Sequence, residues 1–328
     1  MAFLGEDDLD LKLDPWEVEY GSELPMSGGE PVAEGIDLGI ERPVSEWAPI
    51  VPTHVGDVPR RIVFVDGVRR VEARVVARRG GRVIHGAFGS FGVGAAACEA
   101  GIAKIESEAL GRVLALDSGE SLAEPVRIDD GLVYRVVSAP ESDPAAPLQR
   151  LQDEMRLAEE RFARSLADRE DALVVTDGPL MFGDPVRGSA VGFVKRLFEL
   201  YVDPALLGIL AALPAGARSP LFAIEAPSRF ARYSWFLRLA TPHAADSDLA
   251  GLVRLEVSAG IGKDAARRLA DATALTLPRF APGRGRDPRS PQNLLPIGAL
   301  ESYLRRSLGD PRLIRRKIGA WLAERVHA

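Results

Sequence analysis

Asp66 and Asp177 each follow a short apolar run and each precede a glycine: Ile62-Val-Phe-Val-Asp-Gly and Leu173-Val-Val-Thr-Asp-Gly. Continuous apolar runs of this length read as strands covered on both faces. A glycine after them reads as a turn. Each aspartate is therefore expected at the carboxyl end of a strand, where a buried sheet opens to solvent. A carboxylate is costly to bury without a partner, and a metal ion or a cation is the usual compensation. Asp-Gly is also an ordinary turn dipeptide. The matched pair, with a helix between its members, is what points to a site.

These acids need a framework. Residues 60–97 read as three antiparallel strands. The first is 61–66. The second, Val68 to Ala77, alternates Val71, Ala73, Val75 and Ala77 with Arg70, Glu72 and Arg74. The third runs from Arg82 to about Phe91, after a hairpin turn at Arg79-Gly80-Gly81. The glycine-rich run 86–94 lacks the Gly-Lys-Ser/Thr ending of a phosphate loop and reads as a kinked strand. Arg112 to Leu116 and Gly131 to Val137 give further strand material. A Pro-rich linker, 139–147, leads into a helix from Leu148 to about Ala167, with Leu148, Leu151, Met155, Phe162 and Leu166 on its apolar face. Glu159 lies within about 50° of the centre of that face, and Glu160 points well away from it. Glu159 is then an acid facing the sheet, or a rim glutamate whose stem passes the core.

Beyond Asp177 the spacing predicts a helix from Gly188 to Leu200. Strands follow at Arg218 to Glu225, Tyr233 to Ala240 and Leu252 to Val257, then a helix at Lys263 to Thr273. A basic loop from Pro278 to Pro296 precedes two closing helices, Ile297 to Leu308 and Pro311 to Val326.

The 328 residues make one large domain or two ordinary ones. With 46% hydrophobic and 27% charged residues, the composition is that of a soluble globular protein. No run approaches the length of a membrane helix. Met1 to Asp10 carries four acids and no base, unlike a signal peptide. Cys98 is the only cysteine, which excludes an internal disulfide and a Cys-built zinc site. A cytoplasmic location is the expectation.

The net charge of −6 is unevenly spread, with thirteen acids and two bases in residues 1–50, −11, against +5 for the rest. We read residues 1–50 as an acidic extended arm, anchored by Trp16 and Trp47, on a body spanning 51–328. Between Pro278 and Lys317 ten Lys/Arg face three acids. Such a basic face attracts nucleic acid, although a charge run is also an ordinary solvated surface.

The order is strand with Asp66, two strands, helix with Glu159, strand with Asp177. A metal-dependent nuclease needs this order. A hard divalent cation takes oxygen ligands, and converging carboxylates hold one or two ions. Lys195, Arg196, Arg238 and Arg289 are candidates for neutralising phosphate charge in the transition state. The outline resembles the ribonuclease H-like α/β fold, a mixed sheet flanked by helices, with extra strands inserted before the first helix.

The wording of the motifs narrows the resemblance. Ile62-Val-Phe-Val-Asp-Gly-Val, Leu173-Val-Val-Thr-Asp-Gly-Pro-Leu, Gly192-Phe-Val-Lys-Arg, Trp235-Phe-Leu-Arg-Leu-Ala and Val253-Arg-Leu-Glu-Val, in that order, resemble the NurA nuclease family over about residues 58–310. The resemblance implies a manganese- or magnesium-dependent nuclease acting on single-stranded DNA and DNA ends. It also implies a homodimer working with a hexameric HerA-type ATPase. Asp66 and Asp177 match the family's two metal-site aspartates, and Glu159 or Glu160 its glutamate. Helical phase favours Glu159. The family's metal-site histidine falls in the stretch Asp287 to Glu301, which contains none; Gln292 or Asn293 stands there as a candidate for coordination or phosphate contact. The four histidines are His54, His85, His243 and His327. Phe236, with Tyr233 nearby, replaces a tyrosine expected beside Trp235.

Two readings follow. One is a Mn/Mg-dependent deoxyribonuclease with Asp66, Glu159 and Asp177 as ligands, Lys195 beside them, and Arg238, Arg289, Gln292 and Asn293 on the DNA. The other, motivated by the missing histidine, is a degenerate DNA-binding subunit that docks on an ATPase through the acidic arm. An actin-like ATPase, whose fold also puts Asp-Gly turns at strand ends, lacks any adenosine signature here.

Overall fold

A computed structural model of the chain describes residues 11–13, 35–53, 59–168, 172–183, 189–197, 199–226, 229–243, 246–283 and 289–326. Trp16, His54, Asp287 and His327 lie outside these residues. The strands are β1 (Lys12–Leu13), β2 (Gly35–Asp37), β3 (Arg61–Arg79), β4 (Arg82–Glu99), β5 (Ile102–Leu116), β6 (Val126–Asp129), β7 (Leu132–Ser138), β8 (Leu173–Asp177), β9 (Ser189–Val194), β10 (Phe222–Ala226), β11 (Arg229–Arg238) and β12 (Leu252–Ser258). The helices are α1 (Ala146–Ala167), α2 (Leu207–Ala211), α3 (Lys263–Thr276), α4 (Leu295–Ser307) and α5 (Pro311–Val326). The strands form one mixed sheet in the order β2-β10-β11-β12-β9-β8-β3-β4-β5-β7-β6, with β1 added to β3. Among the described residues no helix is long and apolar enough to cross a membrane.

Alternation along β3 explains the layers. Val63 and Val65 face Ala163 and Ala167 of α1. Ile62 and Phe64 face the opposite layer, with Ala266 and Ala270 of α3 and Leu300 and Leu304 of α4. Farther along, Ala73 and Val75 join Phe88, Leu114 and Ile318 of α5. Helix α4 buries Ile297, Leu300 and Leu304, the i, i+3, i+7 stripe of an amphipathic helix. Each such side chain contributes about 1.5–3 kcal/mol.

Two expectations are corrected. Gly67 is not a turn, because β3 runs unbroken for 19 residues from Arg61 to Arg79. It pairs with β4 along that whole length, Arg61↔Glu99 to Arg79↔Arg82, with one irregularity between Val71 and Ala73. A long hairpin overrides the local turn preference of Asp-Gly. The predicted helix from Gly188 to Leu200 is instead strand β9. Its run Ala190-Val-Gly-Phe-Val is buried throughout and pairs in parallel with β8.

The glycine-rich segment 86–94 lies inside β4. A Cβ on Gly89 would stand 2.3 Å from Leu151, so this glycine lets α1 lie directly on the strand.

The described parts of the first fifty residues are built into the sheet. β1 pairs with β3, β2 pairs with β10, and Trp47 is buried against Phe222.

Candidate metal centre

Parallel pairing of β3 with β8 sets the site. The register Val65↔Thr176 brings Asp66 alongside Asp177. β8 ends at Asp177 while β3 continues, so the sheet opens at these two residues. Both aspartates share the parity of Phe64 and Val175 and point toward the α4 layer. Glu301 meets them there. It occupies the i+4 position of the buried stripe that begins at Ile297, where another apolar residue would otherwise pack. Asp66, Asp177 and Glu301 each offer one oxygen, and the three oxygens lie within 4.8 Å of one another. Octahedral ligands at about 2.1 Å stand about 3–4 Å apart, so the trio needs only a small contraction to hold a divalent ion.

Glu159 comes from the other layer. On α1 it follows Met155 by four residues, and its Oε2 stands 3.4 Å from where a Cβ on Gly67 would be. A Cβ at position 67 would crowd Met155 and Val93 at 3.2 and 3.3 Å and would only touch Glu159. Glu159 lies outside the tight trio, whose third member is Glu301, but it shares its field.

Burial raises the Asp66 carboxyl well above the usual range, and Asp177 and Glu159 raise it further. Burial likewise pushes Glu159 up to about 8, with Asp177 adding to the effect. Asp177 is raised by burial and partly restored by Lys195. Asp66 Oδ1 accepts the Gly67 N–H at 2.8 Å. Its Oδ2 is buried with no hydrogen-bond partner. An orphaned buried carboxylate oxygen beside two further carboxylates fits a hard cation, and the all-oxygen donor set fits Mg²⁺ or Mn²⁺.

Two cations border the trio. Lys195, one residue past the end of β9, donates to Asp177 Oδ2 at 2.6 Å and to Asn293 Oδ1 at 2.7 Å. Arg289 donates from Nη1 and Nη2 to the two oxygens of Glu301 at 2.8 and 2.9 Å. Asp177 keeps 20% of its side chain exposed, so the cleft reaches solvent.

The structure thus gathers Asp66, Asp177, Lys195, Arg289 and Asn293 around one point, with Glu159 approaching from the α1 layer. Gln292, next to Asn293, is half-buried. Glu160 is half-buried on the same helix as Glu159. Arg238, expected on DNA, needs correction. It is fully buried and donates to the carbonyls of Leu210, Ala211, Leu213, Asp248 and Ala250. An arginine spent on five carbonyls ties α2 and the 248–250 loop to β11 and cannot meet a ligand. Phe236 and Tyr233 also lie on β11, three strands from β8. Glu301 was missed by sequence reasoning, although a charge inside the apolar stripe of α4 was a readable signal.

No family model matches the chain, and no curated protein matches it. Among solved structures the chain is similar to the crystal structure of the NurA nuclease from Sulfolobus solfataricus, with a TM-score of 0.47 and 12% identity, over 85% of this chain and 88% of that one.

Proposed function

We propose that the chain is a metal-dependent nuclease of the ribonuclease H-like class that hydrolyses DNA phosphodiesters. The observation that carries this reading is the convergence of Asp66, Asp177 and Glu301 within 4.8 Å around a buried, unpartnered carboxylate oxygen. Asp66, Asp177 and Glu301 would hold the ion, with Glu159 at its margin. Bound there, a divalent ion would supply Lewis-acid chemistry toward a phosphate. Lys195, fixed between Asp177 and Asn293, places a positive charge beside the reacting group. Glu159, whose carboxyl is pushed up to about 8 without the ion, would be ionised beside a bound ion and could then accept a proton.

The β3-β4-β5 meander followed by α1 and parallel β8 supports the ribonuclease H-like outline. The finer reading follows the motifs: single strands and DNA ends as substrate, manganese or magnesium as the ion, a HerA-type ATPase as partner, a homodimer, and a cytoplasmic location. The histidine that the motifs call for between residues 287 and 301 has no counterpart, and Glu301 closes that stretch with a carboxylate instead.

The test is digestion of end-labelled single-stranded DNA with Mn²⁺, Mg²⁺ or EDTA, beside Asp66→Asn. Cleavage should require the ion and fall by about 10³-fold or more in the variant, the scale of losing a central electrostatic group. Equal digestion by the variant, or digestion in EDTA, would contradict the proposal.

A further inference from the structure

Lys195 and Arg289 differ in how they are held. Lys195 is anchored twice, by Asp177 and Asn293, and only 14% of its side chain is exposed. Arg289 stands before α4 with 48% of its side chain exposed, and its guanidinium forks over both oxygens of Glu301. One of those oxygens completes the carboxylate trio. A bidentate arginine and a divalent ion would therefore share one carboxylate oxygen and its charge. Two positive charges on one carboxylate also repel. The ion and the arginine compete.

We propose that Arg289 is a displaceable occupant of the ion site. It satisfies Glu301 while the ion is absent, and it turns to a phosphate of the bound nucleic acid once the ion takes the carboxylate. This rests on the nuclease reading and adds a coupling between ion and substrate. The Arg289 side chain is half-exposed, and its fork suits a phosphate as well as a carboxylate. Binding of ion and of DNA would then assist one another, reciprocally.

Mn²⁺ binding to DNA-free protein, followed by the EPR signal of the free ion, separates the possibilities. A second readout is the anisotropy of a labelled oligothymidine in Ca²⁺. Arg289→Gln should bind Mn²⁺ about fivefold more tightly, the order expected for removing a half-exposed competing cation. The same variant should bind the oligonucleotide several-fold more weakly, with the salt slope reduced by about one. Arg289→Lys, which keeps the charge and loses the fork, should fall between. Weaker or unchanged Mn²⁺ affinity in Arg289→Gln would overturn the proposal and make Arg289 a holder of Glu301. Glu301→Gln should weaken Mn²⁺ binding about tenfold. If it does not, the ion site itself is misassigned, and that outcome is distinguishable from failure of the arginine exchange alone.

Discussion

Two of the regions in which the sheet buries charge are of opposite sign. In the β10–β12 half four arginines, Arg218, Arg232, Arg238 and Arg254, are fully buried. Arg218 pairs with Glu41 at 2.8 Å and Asp271 at 2.7 Å. Arg232 and Arg254 share Glu256 at 2.9 and 3.1 Å, and Arg254 also lies over the Tyr201 ring. Glu256 also accepts the Leu180 N–H at 2.8 Å, which pins the loop that follows Asp177. In the β3–β8 half, carboxylates gather instead, and Asp66 has an oxygen with no partner. In the first region each arginine donates to a protein carboxylate or carbonyl, although Arg232 Nε and Nη2 stay without a hydrogen bond, and we read the region as scaffold. The second leaves a buried carboxyl oxygen that a cation from outside the chain could match. Convergence of several carboxylates on one point, rather than burial or charge alone, marks the second region as the candidate site.

The largest effect should come from breaking the compensated region. Glu256→Gln leaves two buried guanidinium groups without their carboxylate and should destabilise the fold by about 3–5 kcal/mol. Urea unfolding followed by fluorescence measures it. Arg238→Ala should come next, at about 2–4 kcal/mol, since several buried carbonyls lose their donor. Its effect on oligonucleotide affinity should be nil once the protein is folded, which separates it from Arg289.

The acidic region should respond to pH in the opposite sense from an ordinary ion pair. Glu159 has its carboxyl raised from 4.5 to about 8. Across that window the folded protein keeps a proton that the unfolded chain has released, so metal-free stability falls as pH rises. Melting temperatures recorded from pH 5 to 8 in EDTA should show this decline, and Glu159→Gln should flatten it. Added Mn²⁺ should reverse it, because the ion favours the ionised carboxylates.

Much of this was readable in the sequence, for identifiable reasons. Apolar runs ending in Asp gave β3 and β8, and helical phase put Glu159 toward the sheet. What was lost was lost to tertiary context. Asp66-Gly67 reads as a turn until a partner strand pairs straight through it. Ala190 to Val194 fits either period over so short a span. Along β11, Arg232, Ser234 and Arg238 alternate with Tyr233, Trp235 and Leu237, the pattern of a strand with one wet face. The polar face is in fact covered, which turns Arg238 from a surface charge into a buried strut. Glu301 breaks the apolar stripe of Ile297, Leu300 and Leu304 with a charge, a signal that only the approach of α4 to β3 turns into a site.

The most direct test of the contrast is metal-free thermal melting at pH 8 of Asp66→Asn beside Glu256→Gln. Asparagine keeps an acceptor for the Gly67 N–H, while removing a carboxyl whose charged form burial and its acidic neighbours disfavour. Asp66→Asn should therefore melt higher than the parent, by about 1 kcal/mol in stability, and Glu256→Gln should melt far lower. A destabilised Asp66→Asn would contradict the account and make Asp66 part of the scaffold.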